Sequence, residues 1–309
     1  MQKAEGKKIL ISFLQLRCNL SHSLRDSTFR KQRERRYLNT LRNIRSRLNY
    51  YYFKVEWSHF LSFDSTKMQS LQQDNQYFIF NFDRTFECQK DFFDPAYWQT
   101  EGRVLGSAKG RGTTYFLQTE DWFGVNCTLR HYYRGGLWGK FNKDRYRFSS
   151  FENTRSFAEF HLLQRLYDAG LPVPKPIAAR IQKGKLGICY QADILTEKIE
   201  NALDLTALLQ KQPLPKETWE KIGRLIRRLH DLQICHTDLN AHNILVQQTE
   251  LGHQCWLLDF DKCGEKSGNV WKADNLNRLH RSFIKEVGRM QIQFTEQNWT
   301  DLTAAYHQA

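Results

Sequence analysis

Long hydrophobic runs are missing from this 309-residue sequence. The most apolar early stretch, residues 9–16, ends at Arg17, far short of the ~20 residues a helix needs to cross a bilayer. No small-residue cleavage site follows it, so neither a transmembrane span nor a signal peptide is expected. Proline is scarce, at 6, and glycine modest, at 17; with 40% hydrophobic and 14% aromatic residues, this excludes collagen-like, low-complexity and wholly disordered chains. The 7 cysteines are odd in number and irregularly spaced, without a CxxC pair. They outline neither a disulfide framework nor a zinc or redox site, and a reducing, cytoplasmic compartment is the expected setting.

Acidic residues are rare mainly at the start. Residues 1–67 hold 15 Lys and Arg against 5 Asp and Glu, whereas the remaining 242 residues hold 31 against 28. The net charge of +13 therefore belongs largely to the first fifth of the chain. Within it, the arginine-rich residues 29–47 carry Tyr37, Leu38, Leu41 and Ile44 at roughly helical spacing. A basic amphipathic helix there would lie on an anionic membrane or on nucleic acid; a solvated helix or disordered arm has the same composition. A chain begun at Met68 would keep every motif described below. Residues 1–67 are accordingly read as a basic extension, disordered or upstream of the true start.

After Met68, residues 77–82 (YFIFNF), 113–117 (TTYFL) and 125–133 (VNCTLRHYY) have the aromatic and β-branched content of strands. Residues 155–169 place Phe157, Phe160, Leu163 and Tyr167 on one helical face, closed by Gly170 with Pro172 beyond. Residues 186–195 return to strand character, and residues 219–232 predict a strongly amphipathic helix through Trp219, Ile222, Leu225, Ile226 and Leu229. The apolar runs 244–246 and 256–260 predict a small hairpin in an otherwise helical remainder. The expected fold class is α+β and bilobal, with a strand-rich N-lobe over 68–195 and a hinge and helical C-lobe over 196–309.

The chemistry concentrates in His236-Thr237-Asp238-Leu239-Asn240-Ala241-His242-Asn243, followed by Asp259-Phe260-Asp261. This is an H-x-D-x-x-x-x-N loop and a D-F turn. Phosphoryl transfer to an alcohol needs a carboxylate to orient the hydroxyl and take its proton, and hard oxygens to hold Mg²⁺ on the phosphates of ATP. Asp238 is assigned the first task, Asn243 and Asp259 the second. Three polar residues in a loop also satisfy backbone groups without any catalysis; the strong helix before them and the hairpin delivering Asp259 supply the specificity. His236 is expected to brace the loop rather than act as a base, and Asp261 to cap the following turn.

Upstream, Gly106, Gly110 and Gly112 punctuate a segment that would fold over ATP phosphates, or form a plain hairpin turn. Arg130 stands where a protein kinase places the lysine that touches the α- and β-phosphates, and Glu159 is its matching acid, or else a solvent-facing charge. Arg134, Lys140, Lys143, Arg145, Arg147 and Arg155, interleaved with aromatics, are read as facing an acceptor headgroup or membrane surface, or as a solvated rim. Only 50 residues follow Asp259 and no A-P-E sequence occurs, so the acceptor is expected to be a small, non-peptide molecule.

Residues 106–116 (GSAKGRGTTYF), 129–140 (LRHYYRGGLWGK), 155–166 (RSFAEFHLLQRL), 170–181 (GLPVPKPIAARI), 235–246 (CHTDLNAHNILV), 256–264 (WLLDFDKCG) and 275–286 (NLNRLHRSFIKE) together make the chain resemble the lipopolysaccharide kinase family, with its protein-kinase-like fold. The resemblance runs from about Asp74 to near the C-terminus. It implies ATP-dependent phosphorylation of the 4-hydroxyl of 3-deoxy-D-manno-octulosonic acid (Kdo) on Kdo-lipid IVA, in lipopolysaccharide inner-core assembly, with Asp238 as the active-site residue. It also implies peripheral association with the cytoplasmic side of the inner membrane; no protein partner and no nucleic acid is inferred from it. The alternatives are a heptose or other small-molecule kinase of this fold and, from another class, a basic nucleic-acid-binding protein on an inactive kinase-like scaffold.

Overall fold

The computed structural model describes residues 68–308 apart from 83–85, 87–88, 111 and 135–143. The basic extension and the segment carrying Lys140 and Lys143 lie outside the described residues. The first half consists of β1 (Gln69–Gln73), β2 (Gln76–Phe80), α1 (Pro95–Thr100), β3 (Val104–Lys109), β4 (Thr113–Leu117), α2 (Glu120–Phe123), β5 (Cys127–His131), β6 (Tyr146–Arg147), α3 (Arg155–Asp168), β7 (Pro176–Lys183) and β8 (Cys189–Glu197). Its strands form one antiparallel sheet in the order β1-β2-β7-β8-β5-β4-β3, with β6 beside β8.

Alternation along the strands sends side chains to two cores. Phe78, Phe80, Leu117, Leu129 and Leu195 pack with Phe92 and Trp98 on one face. Ile79, Ile181 and Ile194 pack on the other with Phe160, Leu163 and Leu166 of α3, in a core that continues into the helical half. Helix α3 ends where Gly170 adopts φ +70°. There the Leu171 N–H bonds the Leu166 carbonyl and the Gly170 N–H the Tyr167 carbonyl, a Schellman closure that satisfies carbonyls at the helix end.

The second half comprises β9 (Ala202–Asp204), α4 (Leu205–Lys211), α5 (Lys216–Asp231), β10 (Ile234–Cys235), β11 (Ile244–Thr249), β12 (Gly252–Leu257), β13 (Gly264–Glu265), α6 (Val270–Met290) and α7 (Glu296–Gln308). Strands β11 and β12 form the hairpin, and β9 pairs with β11. Helix α5 buries Trp219, Ile222, Leu225, Ile226 and Leu229 at helical spacing. Strand β7 is an element the sequence reading left unassigned, and β8 continues to Glu197, past the expected Leu195.

Gly223 fixes how closely α5 and α7 approach. A Cβ at this position would lie 2.1 Å from the Leu302 carbonyl oxygen, a clash with backbone that only a shift of one helix relieves. Gly223→Ala is expected to destabilise the protein by about 1–3 kcal/mol, the usual cost of overpacking. Urea unfolding checks this: an unchanged midpoint would mean the helices separate freely.

Candidate active site

The loop carrying Asp238 is pinned before any substrate is considered. His236 is fully buried. Its Nε2 lies 2.9 Å from the Leu258 carbonyl oxygen, its own carbonyl accepts from Asn275 Nδ2 at 2.8 Å, and its ring packs edge-on against Phe260. Since a carbonyl only accepts, Nε2 carries the proton, and burial pushes the imidazole pKa down, towards the neutral form. These contacts suit a brace rather than a base. Behind it, His230 bonds Tyr306 Oη and Asn275 Oδ1, so Asn275 is held from both sides.

Asn240 caps the turn after Asp238, its Oδ1 accepting from the His242 and Asn243 N–H groups. Asn243 Nδ2 in turn donates to the Asp238 carbonyl at 2.9 Å. That bond orients the Asn243 amide. The Asp238 side chain is 45% exposed, and its Oδ1 lies 3.2 Å from Arg278 Nη1 on α6. Sequence reasoning assigned no role to Arg278, which sits 40 residues downstream in a plain amphipathic helix.

Asp259 lies two residues beyond the end of β12. The Leu258 N–H donates to the Asn243 carbonyl at 2.9 Å, which brings Asn243 and Asp259 to the same end of the hairpin. Asp259 has φ +60°, a left-handed conformation that its short polar side chain tolerates better than most. Its carboxylate meets Arg130, which reaches down from β5.

Arg130 joins three elements. Nη1 donates to Asp259 Oδ1 at 2.6 Å, and Nη2 contacts both Glu159 oxygens at 2.6 Å. Tyr132, two residues along the same strand face, donates its hydroxyl to Glu159 Oε2. Burial alone would drain charge from the guanidinium, but the surrounding carboxylates of Glu159 and Asp259 override it and hold the Arg130 pKa well above its ordinary value. Burial pushes the Glu159 carboxyl up, against the pull of Arg130. Glu159 is therefore not solvent-facing; it is 3% exposed and points from the middle of α3 into the sheet.

The glycines are spread along the β3–β4 hairpin. Gly106 lies within β3, while Gly110 and Gly112 flank the turn, the Gly110 N–H bonding the Gly112 carbonyl at 2.8 Å. Only Gly112 is crowded: a Cβ there would come within 2.1 Å of the Tyr133 ring. Its bareness is required by that tyrosine whatever lies beneath the turn. The hairpin stands beside Arg130, because Thr114 pairs with Arg130 across β4 and β5.

Asp261 has a partner the sequence did not disclose. Its carboxylate accepts from Arg155 Nε at 2.7 Å, and Arg155 Nη1 donates to Tyr146 Oη at 2.7 Å. The carboxylate thus binds the start of α3 to the turn after Asp259 rather than capping that turn. Arg155 correspondingly faces inward instead of towards an acceptor, while Arg145 and Arg147 are exposed.

Asn243 and Asp259 offer one amide oxygen and one carboxylate to a metal ion. Among the described residues no group of three or more His, Cys, Asp and Glu side chains converges as a cage. A sparse set of hard oxygens fits Mg²⁺, which keeps several waters and takes its remaining ligands from phosphates, and does not fit a zinc site.

Two measurements test these contacts. Arg130→Met leaves Glu159 buried without its cation and is expected to cost about 2–4 kcal/mol, somewhat less than a fully enclosed pair because Arg130 is 28% exposed. Adding Glu159→Leu should recover part of that loss in urea unfolding; equal destabilisation of the single and double variants would show that the two side chains are uncoupled. Burial, aided by nearby cations, lowers the His230 pKa from 6.5 to about 4. Between those values the unfolded chain binds a proton that the folded one refuses, so stability falls as pH drops from 6.5 and levels below 4, by on the order of 3 kcal/mol in all. His230→Gln should flatten that part of the pH–stability curve, and an unaltered slope would assign it to other groups.

Known proteins match most of this chain. The family model described as "Lipopolysaccharide kinase (Kdo/WaaP) family" matches residues 95–306. Curated relatives named 3-deoxy-D-manno-octulosonic acid kinase include one from Haemophilus influenzae (strain PittEE), 83% identical over 241 residues, which are 78% of this chain and 100% of that protein. Another, from Mannheimia succiniciproducens, is 63% identical over 77% of this chain and 99% of its own length. A third, from Photobacterium profundum, is 49% identical over 77% and 98%. Among solved structures, "WaaP in complex with acyl carrier protein" aligns over 73% of this chain and 88% of its own at 14% identity, with a TM-score of 0.47. The matched span contains Arg130, Glu159, Asp238, Asn243 and Asp259, and by that match and these identities the chain belongs to the lipopolysaccharide kinase (Kdo/WaaP) family.

Proposed function

We propose that this protein is a Kdo kinase, transferring the γ-phosphoryl group of ATP to the 4-hydroxyl of Kdo on Kdo-lipid IVA during lipopolysaccharide inner-core assembly. The observation that carries this reading is Arg130 spanning Glu159 and Asp259 beside a braced loop that presents the half-exposed carboxylate of Asp238.

Asp238 accepts a hydrogen bond from the sugar hydroxyl and aims its oxygen at the γ-phosphorus. An alcohol is too weak an acid to ionise first at neutral pH, so the proton passes to Asp238 late, as the new O–P bond forms and the bond to the ADP oxygen breaks. Arg130, held by Glu159, directs positive charge towards the α- and β-phosphates, and the glycines at 106, 110 and 112 let the β3–β4 hairpin approach the nucleotide closely. The segment near residues 196–199, at the end of β8, serves as the hinge that meets the adenine edge. Asn243 and Asp259 would hold Mg²⁺, which when bound neutralises charge on the phosphate oxygens.

The acceptor is lipid-borne, so the enzyme works at the cytoplasmic face of the inner membrane. No helix among the described residues is long and apolar enough to cross a membrane, and the association is peripheral.

Incubating the protein with labelled ATP, Mg²⁺ and Kdo-lipid IVA should label the lipid, with phosphorus NMR placing the phosphate on O4. Asp238→Ala should lower turnover by about 10²-fold or more. Absence of transfer by the wild type, or equal transfer by the variant, would overturn the assignment.

A further inference from the structure

The β7–β8 hairpin carries an arrangement that the catalytic site does not use. Its turn is short and closed, the Gly184 N–H bonding the Cys189 carbonyl and the Gly187 N–H bonding the Gly184 carbonyl, both at 2.8 Å, with Gly187 at φ +70°. Two aliphatic side chains project from this tip into solvent: Leu186 is 85% exposed and Ile188 61%. Lys183, at the end of β7, is drawn inward, its ammonium 3.6 Å from the centre of the Phe148 ring and 4.4 Å from that of Phe151. That contact props the base of the hairpin on an aromatic platform.

Cations surround the exposed pair. Lys185 lies between the two glycines of the turn, and Arg147 is carried by β6, paired to Cys189 at the foot of β8; both are exposed. Among the described residues neither has an ion-pair partner. No acidic residue occurs between Lys183 and Tyr190 or between Arg145 and Phe151. The hairpin is also tied to the phosphoryl-transfer end of the molecule. Tyr190 Oη accepts from the Arg155 N–H at 3.0 Å, and Arg155 grips Asp261, two residues beyond Asp259.

We propose that this hairpin is a membrane-docking element, with Leu186 and Ile188 inserting shallowly among the acyl chains while Lys185 and Arg147 meet anionic lipid headgroups. The proposal rests on the lipid-borne acceptor inferred above and names the part of the chain that meets the bilayer. Two aliphatic side chains are too small for the core of a stable protein interface, which takes about 800 Å² from each partner. They suit interfacial insertion, where modest apolar burial and electrostatic attraction add together and neither suffices alone. Docking at this end would present the acceptor headgroup to Asp238 without drawing the whole lipid from the bilayer.

The test uses the full chain with vesicles of phosphatidylethanolamine and phosphatidylglycerol. Hydrogen exchange in peptides covering residues 184–189 should slow when vesicles are added. The pair Leu186→Asp with Ile188→Asp should weaken vesicle co-sedimentation by about tenfold or more, and the loss should persist in high salt, where attraction by other basic segments is screened. Lys185→Glu with Arg147→Glu should weaken binding mainly at low salt. The aspartate pair should keep the wild-type thermal midpoint and turn over a water-soluble Kdo glycoside normally, while losing activity on vesicle-borne Kdo-lipid IVA. Unchanged exchange at 184–189, or undiminished sedimentation of the aspartate pair, would overturn the proposal, as would a wild type that ignores vesicles or a hairpin protected only by a protein. Vesicle binding through the hairpin without phosphorylation of any Kdo compound would instead sink the kinase assignment and leave the docking element standing.

Discussion

One guanidinium between two carboxylates organises the catalytic half of this structure. Arg130 belongs to the sheet, Glu159 to the helix packed on it, and Asp259 to the turn after a hairpin in the helical half. Glu159 is buried and the cation largely enclosed, while Asp259 keeps partial contact with water, so the Glu159 charge above all relies on Arg130 for the stabilisation that water would otherwise give. The planar, five-donor head of arginine can serve two acids at once, which the single ammonium of lysine does less well. The geometry consequently links the sheet, α3 and the Asp259 turn through one residue.

A second clasp runs parallel to the first. Arg155 opens α3 and binds Asp261, so the same helix touches the Asp259 turn through its first residue and, via Glu159 and Arg130, through its middle. Below, Asp238 and Asn243 depend on contacts that are not themselves chemical. His236 ties the loop to the Leu258 carbonyl, and Asn275 ties His236 to α6 and, through His230, to α5. The Asp238 carboxylate remains half-exposed above this support, beside Arg278.

Much of this was legible from residue patterns, and the misses have physical causes. The helix over Arg155–Asp168 and the hairpin β11–β12 appear where periodicity and turn residues place them, because each has one wet and one dry face. Strand β7 escaped notice because Ile177, Ala178, Ala179 and Ile181 are all buried. With both faces of the sheet covered, the alternation that betrays a strand is erased. The glycine segment read as one phosphate loop divides into a strand position, Gly106, and a turn whose Gly112 makes room for Tyr133. Local spacing could not reveal that neighbour, twenty-one residues away.

Spacing within the loop and turn, together with the helix and strands around them, singled out from sequence alone the oxygens proposed for phosphoryl transfer, since a turn of fixed length holds its side chains at fixed separations. Folding decided what those side chains meet. Arg278 reaches Asp238 across 40 residues, Asp261 finds Arg155 across 106, and Arg130 finds Asp259 across 129. Such pairings form only when a common core brings distant segments together and excludes the water that would otherwise solvate each charge separately. Burial and long-range charge pairing are properties of the packed chain, and no stretch of sequence contains them by itself.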